Sequence, residues 1–230
     1  MDGLRVSRFG PAALLIEFAE KVDLESLARC RGLMRCFDEN HLDGLRDVTP
    51  AYCSLLLEFD DPKHASEQFE EVGDLLKSSH ARPAEEAPLF EIPVCYNGPD
   101  IEEFARRNTL SVPNVIELHA APVYSVFLIG FSPGFPYLGP LDSRLHAPRL
   151  DTPRARVPAG SVAIGGEHTG IYSIASPGGW WLIGRTNTEI FSASRARDGG
   201  SLGAFLLRQG DLVRFRPVDE LPAGKGDPVR

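Results

Sequence analysis

Arg154, Arg156 and Arg185 stand in or beside two turns rich in glycine and proline. The first is Thr152-Pro153-Arg154-Ala155-Arg156-Val157-Pro158-Ala159-Gly160-Ser161 and the second is Ser176-Pro177-Gly178-Gly179-Trp180-Trp181. A guanidinium is a planar fork of donors that grips a carboxylate or phosphate through two parallel bonds. Two glycines ahead of two aromatics leave several backbone N–H groups at one tight turn, the makings of an anion nest. These residue types point to chemistry on a small anionic or phosphorylated group. They suit a solvated barrel rim and a structural corner equally well, so residue type alone leaves both readings open.

The histidines are less telling. His119 closes an expected helix with no metal-spaced partner, which fits a capping or core histidine as well as an acid, base or ligand. His168 lies between Glu167 and Thr169 in a glycine-flanked turn, where a solvated loop is the ordinary case and a reach into a site the alternative. Gly130-Phe131-Ser132-Pro133-Gly134 matches the G-x-S-x-G nucleophile elbow in letters only. The elbow uses the N–H of the residue after serine, Pro133 has none, and no helix-forming run follows Gly134. No H-E-x-x-H, P-loop or Rossmann glycine pattern is present. Cys30, Cys36, Cys53 and Cys95 form no C-x-x-C pair and read as buried free thiols of a reducing compartment.

The elements that must carry these residues fall into two halves. Leu4–Phe9 and Ala12–Phe18 read as strands around Gly10-Pro11. Asp23 caps a helix over Leu24–Phe37, with Leu27, Cys30, Met34 and Phe37 on one face. Ala51–Phe59 alternates as a strand, and Asp61-Pro62 opens a helix with the stripe Ala65, Phe69, Val72 and Leu76. A polar stretch from Ser78 to Ala87 leads to a strand over Leu89–Cys95. The order ββαβαβ predicts a small α+β sandwich over residues 1–87.

The second half, residues 88–217, opens with a short helix for which Asp100 and Glu103 form an expected capping box. Ser111 caps a second helix that ends near His119. A helix-turn-helix is set aside because the spacing is loose and this half is nearly neutral. Val126–Ile129, Ser161–Ile164, Ile171–Ile174 and Trp180–Ile183 then read as strands between turns, a strongly bent mainly-β barrel. Asp198–Ser201 reads as an exposed loop, Phe205–Leu207 and Asp211–Phe215 as closing strands, and 218–230 as a flexible tail.

Charge divides the chain in the same place. Residues 1–91 hold 19 acidic and 10 basic residues; residues 92–230 hold 13 acidic and 14 basic, of which only Lys225 is lysine. An acidic first half argues against general nucleic-acid binding. No apolar run reaches the length of a membrane span, and Met1-Asp2-Gly3-Leu4-Arg5 does not open a secretory signal, so a cytoplasmic location with no membrane partner is expected.

Several ordered motifs carry a resemblance over nearly the whole chain. They are V-x-E-L-H ending at His119, F-L-x-G-F-x-P-G-F-x-Y-L-G from Phe127 and P-R-x-x-V-P-A-G-S-V from Pro153. T-G-I-Y at Thr169–Tyr172 and S-P-G-G-W-x-L-I-G-R-T from Ser176 complete the set. The chain resembles the B-subunit family of 5-oxoprolinase, also called allophanate hydrolase subunit 1 or KipI-like proteins. The resemblance implies an α+β N-terminal domain followed by a cyclophilin-like β-barrel. It also implies work beside two further proteins, a separate A subunit plus a homologous, cyclophilin-like C subunit. ATP, with Mg²⁺ and bound either on this subunit or at a site shared with the C subunit, would phosphorylate 5-oxo-L-proline for hydrolysis to L-glutamate.

That step needs cationic and N–H stabilisation of phosphoryl oxygens. Arg154, Arg156, Arg185 and the Gly178-Gly179 backbone are the expected groups, with His119 in a catalytic place and Tyr137, His168 and Trp180 near the substrate. His168 stands where the family more often has glutamine, Ser173 where it has proline and Trp181 where it has glutamine. Two other classes fit the same resemblance: a KipI-type inhibitor of a sensor histidine kinase, and a carboxyltransferase-like subunit of a urea or allophanate amidolyase. Prolyl isomerase activity does not follow from a barrel of this kind.

Overall fold

The computed structural model describes residues 4–78, 87–195 and 203–221, which form two compact units, Met1–Glu86 and Ala87–Arg230. The polar stretch after Ser78, the Asp198–Ser201 loop and all but the start of the 218–230 tail lie outside the described residues.

The first unit runs β1 (Arg5–Arg8), β2 (Ala13–Glu17), α1 (Leu24–Glu39), β3 (Leu45–Pro50), β4 (Ser54–Phe59) and α2 (Pro62–Ser78). Its antiparallel sheet has the order β1-β2-β4-β3. Leu14 and Ile16 on β2, and Leu55, Leu57 and Phe59 on β4, alternate into a core closed by Leu27, Cys30, Leu33 and Phe37 of α1 and Ala65, Val72 and Leu76 of α2. Asp23 caps α1 as expected: its carboxylate accepts the Ser26 N–H at 2.8 Å, and the Ser26 hydroxyl accepts the Asp23 N–H at 3.0 Å. Asp61 accepts the Lys63 N–H at 2.7 Å at the head of α2.

Sequence periodicity misses β3. Leu-Arg-Asp-Val-Thr-Pro is broken by charges, by a register shift between Leu45 and Asp47 and by Pro50. Such features are tolerated because β3 is an edge strand, where unpaired backbone needs protection from further pairing. The unit is therefore ββαββα. The strand at Leu89 does not complete it.

The second unit contains β5 (Leu89–Val94), α3 (Ile101–Arg107), α4 (Val112–Ala120), β6 (Tyr124–Ile129), β7 (Pro136–Gly139), β8 (Arg154–Val157), β9 (Ser161–Gly165), β10 (His168–Ile171), β11 (Ser176–Gly178), β12 (Trp181–Arg185) and β13 (Leu212–Pro217). Seven strands make one sheet in the order β12-β9-β10-β7-β6-β13-β5, with β5 and β13 parallel. The sheet nearly closes on itself. Cys95 exchanges both backbone bonds with Arg185 at 2.9 Å, and the Gly98 N–H reaches the Ile183 carbonyl at 3.2 Å. Strands β8 and β11 form a separate two-stranded ribbon.

Two expected elements differ. The strand foreseen over Ile171–Ile174 lies earlier, over His168–Ile171, because Gly166 at φ 64° makes the turn that pairs β10 with β9. Phe205–Leu207 supplies one isolated bridge to Phe191 in place of a strand. Of the closing strands only that at Asp211–Phe215 forms, as β13. The barrel interior holds Val126, Leu138, Val162, Ile164, Ile171, Ile183, Val213 and Phe215, joined by Phe104 of α3 and Val115 of α4. Cys30 and Cys95 are buried free thiols, whereas Cys36 and Cys53 are only half-buried. Among the described residues no helix is long and apolar enough to cross a membrane.

Candidate functional site

Because side chains alternate along a strand, the residues beside those of the barrel interior face the other way. On β7, β9 and β12 these are Tyr137, Ala163 and Leu182, which pack with Phe135, Val157, Tyr172 and Trp180 into a second, aromatic cluster. Phe135 is its hub, with ring centroids 5.1 Å from Tyr137, 5.2 Å from Tyr172 and 5.3 Å from Trp180, each meeting edge to face. That geometry sets the positive ring edge against the negative face. His168 on β10 borders it, 6.2 Å from Tyr137 and 6.3 Å from Phe127.

Two glycines explain how the rings sit so close to backbone. A Cβ on Gly165 would lie 2.6 Å from the Trp180 indole, and one on Gly178 would overlap the Tyr172 hydroxyl. Gly165→Ala is expected to push the Trp180 indole off β9 and to cost about 1–3 kcal/mol, as overpacking does. Urea denaturation and near-ultraviolet circular dichroism would register it. An unchanged aromatic spectrum and midpoint would contradict this packing.

Arg154 is committed. Its guanidinium donates to Asp100 at 2.5 Å and to the Trp180 carbonyl at 3.4 Å, while the other Asp100 oxygen accepts the Leu182 N–H at 2.7 Å. The anion held between this arginine and this backbone turn is the protein's own carboxylate. Asp100 makes no side-chain cap to α3, and Glu103 pairs with Arg106, so the expected capping box is absent. A carboxylate that can bridge an arginine and an N–H of another strand gains charge-assisted bonds, whereas a cap satisfies one helical donor.

His119 is engaged with the barrel interior. It is fully buried, its ring stacked 4.6 Å from Phe215. The Thr169 hydroxyl donates to the Ala163 carbonyl at 3.0 Å, so its oxygen accepts from His119 Nε2 at 2.7 Å. His119 Nδ1 then accepts from the Tyr96 hydroxyl at 2.7 Å. Desolvation by burial pushes its pKa down to about 3. A neutral imidazole with both nitrogens engaged joins α4, β10 and the chain after β5, a strut rather than an acid or base.

The remaining expected residues lie at the surface or on the cluster rim. Arg156 on β8 and Arg185 at the end of β12 are exposed, and neither guanidinium bonds to a partner among the described residues. Gly178 pairs with Arg154, and the Gly179 carbonyl accepts the Leu150 N–H at 2.7 Å. Trp180 is buried, while Tyr137 and His168 are half-buried. Burial raises the Tyr137 pKa and lowers that of His168, so both stay neutral near pH 7. The structure thus brings Tyr137, His168, Gly178 and Trp180 together and places His119 apart from them.

Sequence reasoning missed Asp100 as the partner of Arg154, the floor residues Phe135 and Tyr172, and Arg149. Arg149 neighbours the Leu150 that bonds Gly179, and its charge acts on both Tyr137 and Tyr172. The Gly130–Gly134 run is a strand-to-strand turn. The Ser132 N–H is taken by the Gly130 carbonyl at 2.7 Å, and β7 follows where an elbow would need a helix.

Comparison with known proteins places these features in a family. The profile of the carboxyltransferase domain, subdomain C and D, matches residues 4–199. The B subunit of 5-oxoprolinase from Bacillus subtilis is 36% identical, with 94% of this chain and 93% of that protein aligned. The crystal structure of TTHA0988 superposes with a TM-score of 0.80 at 38% identity over 94% of this chain. This chain spans only 42% of the TTHA0988 chain. The Kluyveromyces lactis urea carboxylase shares the fold, with a TM-score of 0.74, at 20% identity, over 94% of this chain and 22% of that one.

Proposed function

We propose a role for this chain from the premise that it belongs to the B-subunit family of 5-oxoprolinase: it is the B subunit of an ATP-dependent 5-oxoprolinase. The observation that carries this reading is the near full-length match to the Bacillus subtilis protein of that name. In it, the two compact units are the α+β domain and the cyclophilin-like barrel of the family, working in the cytoplasm with the A and C subunits. The reaction is hydrolysis of 5-oxo-L-proline to L-glutamate. An unstrained amide is a poor electrophile, and transfer of a phosphoryl group from ATP to its oxygen makes a leaving group. The urea carboxylase likeness supports the fold alone and gives the carboxyltransferase reading no separate weight.

ATP enters as a co-substrate. Arg156 and Arg185 are the cations of the expected set that remain available for phosphoryl oxygens. Arg154 instead orders the turn that carries Trp180. Among the described residues no group of three or more His, Cys, Asp or Glu stands ready to hold a metal. Mg²⁺ would arrive on the nucleotide phosphates, its usual mode of binding.

The test is 5-oxoproline-dependent ADP release by this chain mixed with its A and C subunits. Turnover is expected in the mixture and not with this chain alone. An assembled mixture without turnover would overturn the assignment. Arg185→Ala is expected to lower kcat by roughly 10²-fold, the scale for losing one preorganised charge on a transition state. A kcat within twofold of wild type would remove Arg185 from the phosphate role.

A further inference from the structure

Phe131 departs from the habits of its residue type twice. Its φ is 66°, in the left-handed region where a bulky side chain is an outlier, and it is 62% exposed. The turn that imposes this conformation is held from several sides. The Ser132 N–H bonds Gly130, the Phe135 N–H bonds Ser132 at 3.0 Å and the Gly130 N–H bonds Phe135 at 3.1 Å. The Ser173 hydroxyl donates to the Pro133 carbonyl at 2.6 Å. Backbone strain survives only where the surroundings over-determine it, and it collects at ligand clamps and active sites. Glycine would meet the demands of this turn without strain. The chain instead tolerates strain to hold an aromatic ring largely in solvent.

That ring stands at the edge of the aromatic cluster, 5.5 Å from Phe135 and 6.3 Å from Tyr172. Polar groups border the same cluster: Tyr137 and His168 are half-buried, and the exposed Arg149 is close enough for its charge to act on Tyr137 and Tyr172. Arg154, the second cation of this region, is occupied by Asp100. The Arg149 guanidinium beside neutral rings suits a ligand with a single negative charge, whereas a nucleoside triphosphate carries several. We propose that Phe131 is a specificity-determining residue that packs on the ring of a small cyclic amide acid, whose carboxylate pairs with Arg149 and the Tyr137 hydroxyl. The inference rests on the oxoprolinase reading and assigns its lactam to this face of the barrel.

Phe131→Gly separates the ring from the fold, because glycine relieves the strained φ. Calorimetric titration of 5-oxoproline and of ATP into the assembly of this chain with its partner subunits would be run beside melting curves. The variant is expected to assemble, to melt at the wild-type temperature or above, and to bind 5-oxoproline about tenfold more weakly, the scale of one lost ring contact. Its ATP affinity is expected to be unchanged. Equal lactam affinity, a clear fall in melting temperature, a loss confined to ATP, or loss of assembly would each overturn the inference. If the wild-type assembly turns over 5-oxoproline and the variant matches it, only the role of Phe131 fails. If the wild type neither binds nor turns over 5-oxoproline, the proposed function fails with it.

Discussion

Asp100→Ala is expected to destabilise the barrel unit by about 2–4 kcal/mol, near the range for removing one partner of a buried ion pair. The side chains of Asp100 and Arg154 are 13% and 31% exposed, so solvent screens the pair only in part. The substitution leaves the Arg154 guanidinium short of its carboxylate and strips the Leu182 N–H of its acceptor. The loss therefore exceeds the net worth of the pair itself. Removing Arg154 as well should recover part of it, since no uncompensated charge then remains. Urea titrations of both single variants and the double variant would measure the coupling directly. Strictly additive losses, or a single-variant loss below about 1 kcal/mol, would show that this contact is an ordinary surface pair. Asp100→Asn separates charge from shape: it retains an acceptor for Leu182 and should fall between wild type and alanine.

Acid should weaken the same unit well before its carboxylates titrate. The folded pKa of His119, about 3, lies below the ordinary value of 6.5. Between those values the unfolded chain binds a proton that the folded chain excludes, so stability rises with pH across this window. The full contribution is present above about pH 6.5, and each unit below it lowers the folding equilibrium constant about tenfold until the folded group titrates. The carboxyl of Asp142, held down to about 2 by Arg144, changes stability only below its ordinary 3.8 and so falls outside most of the window. His119→Gln can still accept from Tyr96 and donate to Thr169, but it cannot be protonated in this range. It should fold at neutral pH and lose the larger part of the slope between about pH 6.5 and 4, the remainder belonging to His168, whose pKa burial also lowers. Urea midpoints of the two proteins over that range decide the matter. Parallel slopes would mean that other groups carry the acid sensitivity.

Both predictions concern residues whose roles a linear reading assigns elsewhere. Asp100 follows Gly98-Pro99 and precedes Glu103, the local signature of a capped helix, and nothing local announces Leu182 or Arg154. The neutral state of His119 depends on Tyr96 and Thr169 on either side of it in sequence and on a stack with Phe215. Neither residue type nor spacing specifies such a cage. Tyr137, His168 and Trp180, by contrast, are grouped in the sequence by the motifs that carry the resemblance, and the pairing of β7 with β10 then sets Tyr137 and His168 on one face.

What the sequence determined by itself is local and periodic. Short apolar runs bounded by turn residues mark β2 and β9, alternation marks β4, the Asp23 and Asp61 caps mark two helix starts, and the ordered glycine–proline motifs mark the family. These signals survive in one dimension because each depends on neighbours a few residues away. Tertiary structure decided the charges. Whether Arg154 meets a ligand or Asp100, and whether a histidine is an acid or a strut, depends on which groups enter a low-dielectric space together. There, one partner 54 residues away outweighs every local preference.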